Sequence, residues 1–229
     1  MTEVAIGFAS RMPEIVRELQ AEREDTNAVL LAISQAAVDT IPGAEYASVT
    51  MVTKGEIATP VAVGAPALKC DELQQELGEG PCVRAAVSDE TIWVDDMRTE
   101  TRWPRFADGA AGIGINSMVC FCLYIDGNDF GALNLHSALV DGFDAEARSM
   151  GELFAAHAAI AFAAVREREQ LRMALSSRDL IGQAKGMIME RYRIDADAAF
   201  RLLARLSQDS NTKLVEVARQ VIAAGPDSN

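Results

Sequence analysis

Arg178-Asp-Leu-Ile-Gly-Gln-Ala-Lys-Gly-Met-Ile-Met-Glu-Arg191 is followed by Ala198-Ala-Phe200, Leu203, Ser207, Asn211-Thr-Lys-Leu214 and Ala218. The spacing predicts three short helices, with the step Ala184-Lys185-Gly186 inside the first. Glycine in a helix interior costs about 1 kcal/mol relative to alanine, so it needs a reason. Either something approaches the backbone closely there, or nothing is gained by replacing it. Arg178 and Lys185 lie seven residues apart, two turns along one helix, so both cations project from nearly the same face. Cations flanking bare backbone suit a phosphate chain passing close by. The residues alone also allow three helices that dock on duplex DNA, or that only dimerise.

The same run resembles the ANTAR family, the RNA-binding module of bacterial transcription antitermination regulators. The likeness extends from about Leu171 to Ala224. It rests on the central Ala184-Lys185-Gly186, on Met189, on the pair Ala199-Phe200, and on Asn211-x-Lys213-Leu214. It implies that paired RNA stem-loops are bound by a dimer. It makes Arg178, Ala184, Lys185, Gly186, Met189, Asn211 and Lys213 the expected RNA-binding residues. Asn211 also suits a helix cap.

Charge divides the 229-residue chain at the same place. The whole carries a net charge of −13. Residues 166–229 hold 11 Lys/Arg against 9 Asp/Glu, a balance of +2, whereas residues 1–165 stand at −15. The body therefore repels phosphates and only the C-terminal part can meet them. That part is too weakly charged to grip RNA by electrostatics alone, so shape and the pairing of two copies must contribute. There is no apolar run of about eighteen residues for a membrane helix, and Met1-Thr-Glu-Val-Ala does not open a signal peptide. Four scattered cysteines fit reduced thiols in a cytoplasmic protein better than a disulfide framework.

Upstream, Ser10 to about Ile41 reads as helix, with Pro13 in its first turn and Pro42-Gly43 as its stop. Tyr46–Thr53 alternates as a strand, Lys54-Gly55-Glu56 turns it, and Ile57–Val63 returns. Short helices are predicted over Ala67–Leu77 and from Cys82 to about Val87, a strand over Thr91–Asp95, and a helical turn over Pro104–Ala111. Asn116–Ile125 and Phe130–His136 form a hairpin through Asp126-Gly-Asn128. Asp144 caps a long helix that runs through Phe162 toward Leu175.

This order resembles the GAF sensor fold, an α+β domain with a central antiparallel sheet. The hairpin Leu123–His136 and the opening Phe143-Asp144 carry the likeness. Leu77-Gly-Glu-Gly-Pro-Cys82 resembles the version found beside ANTAR modules in actinobacteria. A receiver domain does not fit, because Tyr46–Thr53 lacks Asp and the Asp95-Asp96 pair comes too late. The expected organisation is a GAF domain over 12–165, a helical linker over 166–176, and a three-helix ANTAR module over 171–224.

Val165–Leu175 has no Gly or Pro and reads as continuous helix rather than tether. Ala161, Ala164, Leu171 and Leu175 fall on a short heptad seam that Arg168 interrupts. That seam fits a homodimer, or a solvated helix leaning on its own domain. A possible sensor pocket is placed around Cys82, Trp93, Trp103 and Phe106, which either line a cavity or plug it. Cys120 and Cys122 share one strand face with reach to Cys82 or His136, but strand cysteines are usually small buried hydrophobes. His157 sits in the apolar helix Phe154–Ile160. No metal or haem is expected, and a small-molecule ligand is left open.

No nucleophile elbow, Walker loop, dinucleotide fingerprint or zinc motif occurs, so no enzyme is expected. The reading is a cytoplasmic, signal-responsive RNA-binding regulator. A DNA-binding transcription factor, or a signalling adaptor whose C-terminal helices only dimerise, are the alternatives.

Overall fold

The computed structural model of the chain describes residues 26–53, 56–88, 90–126 and 129–225. The expected helix start near Ser10 and the turns at Lys54-Gly55 and Gly127-Asn128 lie outside them. The chain divides into two compact units, with the boundary between Arg166 and Glu167.

The first unit is built on five antiparallel strands. These are β1 (Tyr46–Thr53), β2 (Glu56–Val63), β3 (Ile92–Val94), β4 (Ser117–Asp126) and β5 (Asp129–Ser137), in the order β2-β1-β5-β4-β3. Alternation along each strand gives the sheet two unlike faces. Ala47, Val49, Val119, Phe121, Leu133 and Leu135 point to one face. There they meet Val29, Leu30 and Ile33 of α1 (Thr26–Thr40), and Phe154 and Phe162 of α5 (Ala145–Tyr192). Burying each of the valine, leucine, isoleucine and phenylalanine side chains contributes about 1.5–3 kcal/mol. The other face carries Met118, Cys120 and Ala132 beneath Cys70 of α2 (Ala65–Leu77), Cys82 and Ala85 of α3 (Pro81–Ser88), and Phe106 and Ala110 of α4 (Pro104–Ile113). This face also carries the polar residues Ser48, Thr50, Asn134 and His136, all buried.

Local signals account for most element ends. The α2 helix begins with Pro66 in its first turn and stops at Gly78, whose φ is 66°. Asp144 Oδ1 accepts from Ala147 N at 2.8 Å, capping α5 as expected. That helix does not end near Leu175. It continues for 48 residues to Tyr192 and so includes the first of the three expected short helices. Ser176-Ser177 is no breaker, and the first glycine beyond Gly151 is Gly182.

In the second unit the end of α5 packs with α6 (Ala196–Asp209) and α7 (Leu214–Ala223). Arg193, at φ 52°, ends α5, and Asp195 caps α6 by accepting from Ala198 N at 2.7 Å. Ala184, Ile188, Ala199, Leu203, Val217 and Ala218 form its core.

Candidate functional site

The second unit sorts the expected RNA-binding residues by burial. Ala184 is fully buried in the helical core. It cannot touch a ligand, so its place in the expected contact set is corrected: its small side chain lets α5 pack closely on its neighbours. Met189 is half-buried against the same core. Arg178 is exposed, Lys185 half-buried, and Gly186 exposed. A Cβ added at Gly186, or at Gly182 one turn earlier, would find no atom within 4 Å. The protein's own packing therefore demands neither glycine.

Ala174, Ser177, Arg178, Ile181, Gly182 and Lys185 recur at intervals of three and four, so they form one face of α5. With Phe200 of α6 they line an open groove of about 430 Å³. Among the described residues neither Arg178 nor Lys185 makes an ion pair, whereas Arg205 pairs with Asp209 at 3.7 Å and Arg219 with Glu216 at 2.9 Å. Phe200 is 45% exposed. Sequence reasoning used Phe200 only as part of a family likeness and passed over Gly182. The available signals were an aromatic residue just off the buried Ala199/Leu203 stripe, and two glycines four apart.

Asn211 is exposed and adopts φ 49°, just beyond the end of α6. Asparagine tolerates this left-handed conformation better than most residues. Thr212 N then donates to Ser207 O at 3.0 Å, and Ser207 Oγ donates to Thr212 O at 2.6 Å. Asn211 thus shapes the corner after α6 rather than capping α7. Lys213 holds the N-cap position of α7 with no side-chain cap bond. A cation there is opposed by the helix dipole, so helix stability does not explain it.

In the first unit the buried polar face centres on Asp71 of α2. Between β1 and β2 the register slips so that Thr59 and Pro60 together oppose Thr50. Proline is tolerated at such a bulge. Both threonine hydroxyls donate to Asp71 Oδ2, Thr59 at 2.9 Å and Thr50 at 3.5 Å. Gln74 Nε2 donates to Cys82 Sγ at 2.6 Å, while Cys82 N donates to Gln74 Oε1 at 2.8 Å. Gly80 permits this approach: its φ is 144°, and an added Cβ would lie 2.3 Å from Gln74 Oε1. Burial pushes the Asp71 carboxyl up to about 6, opposed by the hydrogen bonds from its hydroxyl and thiol neighbours. Burial also drives the Cys70 and Cys82 thiols well above their ordinary range. His136 is fully buried and held neutral, its pKa lowered by desolvation to about 3.

Of the residues expected around the sensor pocket, Cys82, Phe106 and Trp103 pack with one core, and Trp93 packs with the other. Cys82 belongs to the Asp71 cluster, and Phe106 is fully buried in the core beside it, so its ring fills space there. Trp103 is half-buried at the start of α4, under the Arg102 guanidinium. Trp93 lies on the opposite face of the sheet. Its neighbours Ile92 and Val94 take the Cys82 side, so strand alternation turns Trp93 toward Phe121, edge-to-face at 5.6 Å, with Arg148 over its ring. Cys120 does face Cys82, Sγ to Sγ 3.9 Å. Among the described residues no three His, Cys, Asp or Glu side chains gather so as to hold a metal ion. His157 Nδ1 lies 2.8 Å from Leu153 O within its own helix.

Comparison with known proteins agrees with this division. The GAF domain family matches residues 23–163, and the ANTAR domain family matches residues 169–222. The chain belongs to the GAF domain family and carries a C-terminal ANTAR domain. Comparison with curated proteins finds no match. Among solved structures it is similar to the GAF domain of a phosphoenolpyruvate-protein phosphotransferase from Coxiella burnetii. That match has a TM-score of 0.54 at 15% identity and covers 74% of this chain and 99% of that one. A GAF sensor protein from Burkholderia vietnamiensis aligns with a TM-score of 0.54 at 19% identity, over 73% of this chain and 96% of that one. Free methionine-R-sulfoxide reductase from Neisseria meningitidis aligns with a TM-score of 0.51 at 17% identity, over 73% and 95%. At these identities the likeness is one of fold.

Proposed function

We propose that this GAF–ANTAR protein is a non-enzymatic, signal-responsive regulator that binds RNA stem-loops as a homodimer and acts by transcription antitermination in the cytoplasm. The observation that carries this reading is the exposed face of α5. Arg178 and Lys185 lack acidic partners there, and Gly182 and Gly186 leave the backbone bare for no internal reason. Phosphate oxygens complement such a face. Lys213, exposed at an unfavourable helix position, extends the contact set together with half-buried Met189, while buried Ala184 packs the helix and Asn211 shapes the corner after α6. The GAF half receives a small-molecule signal and alters how two ANTAR modules pair. Two modules holding two loops of one RNA make the second contact intramolecular. The raised pKa values of Cys70 and Cys82 keep these thiols protonated near neutral pH, which suits packing rather than thiol chemistry.

Crosslinking in cells followed by sequencing of the bound nucleic acid tests the reading. Paired stem-loops in the recovered RNA are expected. Enrichment of DNA, or of protein partners alone, would overturn it.

A further inference from the structure

The groove on α5 holds more than cations. Phe200 lines it with nearly half its surface exposed, outside the hydrophobic core of its unit. Ile181 and Gly182 lie between Arg178 and Lys185, and no acidic side chain lines the groove. Seven residues at about 1.5 Å rise separate the two cations by about 10 Å along the helix. An apolar floor with an exposed aromatic side chain and two cations about 10 Å apart matches a nucleotide, whose flat base is flanked by phosphates. A purely apolar partner helix would leave both charges unmatched. Double-stranded RNA, whose bases are stacked inward, would leave Phe200 unused.

We infer that this groove seats one unstacked base of an RNA loop, its face on Phe200, its edge over Gly182, and its neighbouring phosphates at Arg178 and Lys185. The inference rests on the RNA-binding reading above and adds which kind of nucleotide the face selects. Gly182 has a role in it. Alanine there would put a methyl group into the floor where a planar ring lies against the helix. Base-on-aromatic stacking tolerates any base, so the groove reads the presence of an unpaired nucleotide more than its identity.

The test uses the full chain and two probes, hairpin RNAs selected by the wild type from a pool with a fixed stem and randomised loop, and a loop-free duplex of the same stem. Phe200→Leu keeps an apolar side chain but removes the ring. It should weaken hairpin binding by roughly 5- to 100-fold, the range for loss of one stacked base. Its salt dependence should not change, because no charge is lost. Phe200→Trp should restore binding. An abasic substitution at one loop position should cost wild type as much as Phe200→Leu does, and cost that variant nothing further. Helical content and sedimentation mass should stay constant. If Phe200→Leu binds the hairpin as wild type does while Lys185→Ala weakens it, the RNA reading stands and the stacked base is wrong. A fall in sedimentation mass on Phe200→Leu would make the groove a contact between copies and overturn the inference. Failure of the wild type to select any hairpin would overturn the RNA reading itself.

Discussion

Cys82 Sγ lies 3.9 Å from Cys120 Sγ, and both thiols are buried on the sheet face that also holds Asp71. The thiolate is the reactive form, and for Cys82 burial suppresses it. Alkylation of the folded protein near pH 7.5 should therefore reach half-exposed Cys122 first. Peptide mass spectrometry after timed iodoacetamide treatment reads the order. Early modification of Cys82 would show that the cluster opens readily.

Asp71 makes stability depend on pH with a definite sign. Its folded pKa of about 6 stands above the ordinary 3.8, so its contribution is fully present below pH 4. That contribution is lost as pH rises through 6, about 3 kcal/mol at most. His136 acts oppositely: its lowered pKa adds stability above pH 6.5 that is lost as pH falls toward 3. Asp71→Asn removes only the first effect. Urea unfolding followed by Trp93 and Trp103 fluorescence at pH 4 and pH 7 should show the variant gaining on wild type at the higher pH. An equal difference at both pH values would mean that folding does not raise the Asp71 pKa.

Lys185→Ala and Arg178→Ala should each weaken hairpin RNA binding without loss of helical content, because among the described residues neither side chain has an acidic partner to lose. Each should lower the slope of log affinity against log salt by about 1. Filter binding from 50 to 300 mM salt measures both. Unchanged affinity in both variants places the RNA elsewhere.

Glycine replacement separates folding from binding. Gly182→Ala and Gly186→Val enter open space, so helical content should hold. The alanine variant should gain about 1 kcal/mol of local helix stability. Binding should fall in both. A more stable helix with intact binding would show that the bare backbone has no outside partner.

A Gly-Ser pair inserted between Arg168 and Glu169 interrupts α5 two residues beyond the boundary of the two units. Hairpin binding by a single ANTAR module should persist, while response to signal and dimer-dependent affinity should drop. Sedimentation and RNA titration decide it, and identical values in both proteins would make the segment a spacer only.

The strands along the chain, the hairpin of β4 and β5, and the Asp144 cap are readable because alternation and turn chemistry are local. The position of Trp93 is not. Two-residue alternation says that Trp93 opposes Ile92 and Val94, but which face holds the cluster depends on what packs there. Sequence alone divides the long α5 in two because Arg178–Arg191 has its own periodicity, and nothing local says that the preceding turn continues into it. Ala161 and Leu171 show the same limit: a shared heptad register joins them, yet Ala161 is buried and Leu171 is 60% exposed. Ala184 and Gly186, adjacent in one motif, face core and solvent respectively, and only the helix phase separates packing from contact. Asn211 depends on backbone conformation, which composition does not show.

The outer strands of the sheet bear on how two copies can meet. On one side β3 is only three residues long. On the other, β2 carries exposed Pro60 at its bulge. Proline offers no donor, and a bulged edge twists away from a straight partner. Neither margin is a good template for another chain, so the sheet is poorly suited to grow by strand addition. The proposed pairing of two copies then falls to helical surfaces, apart from the strand-addition route to aggregation.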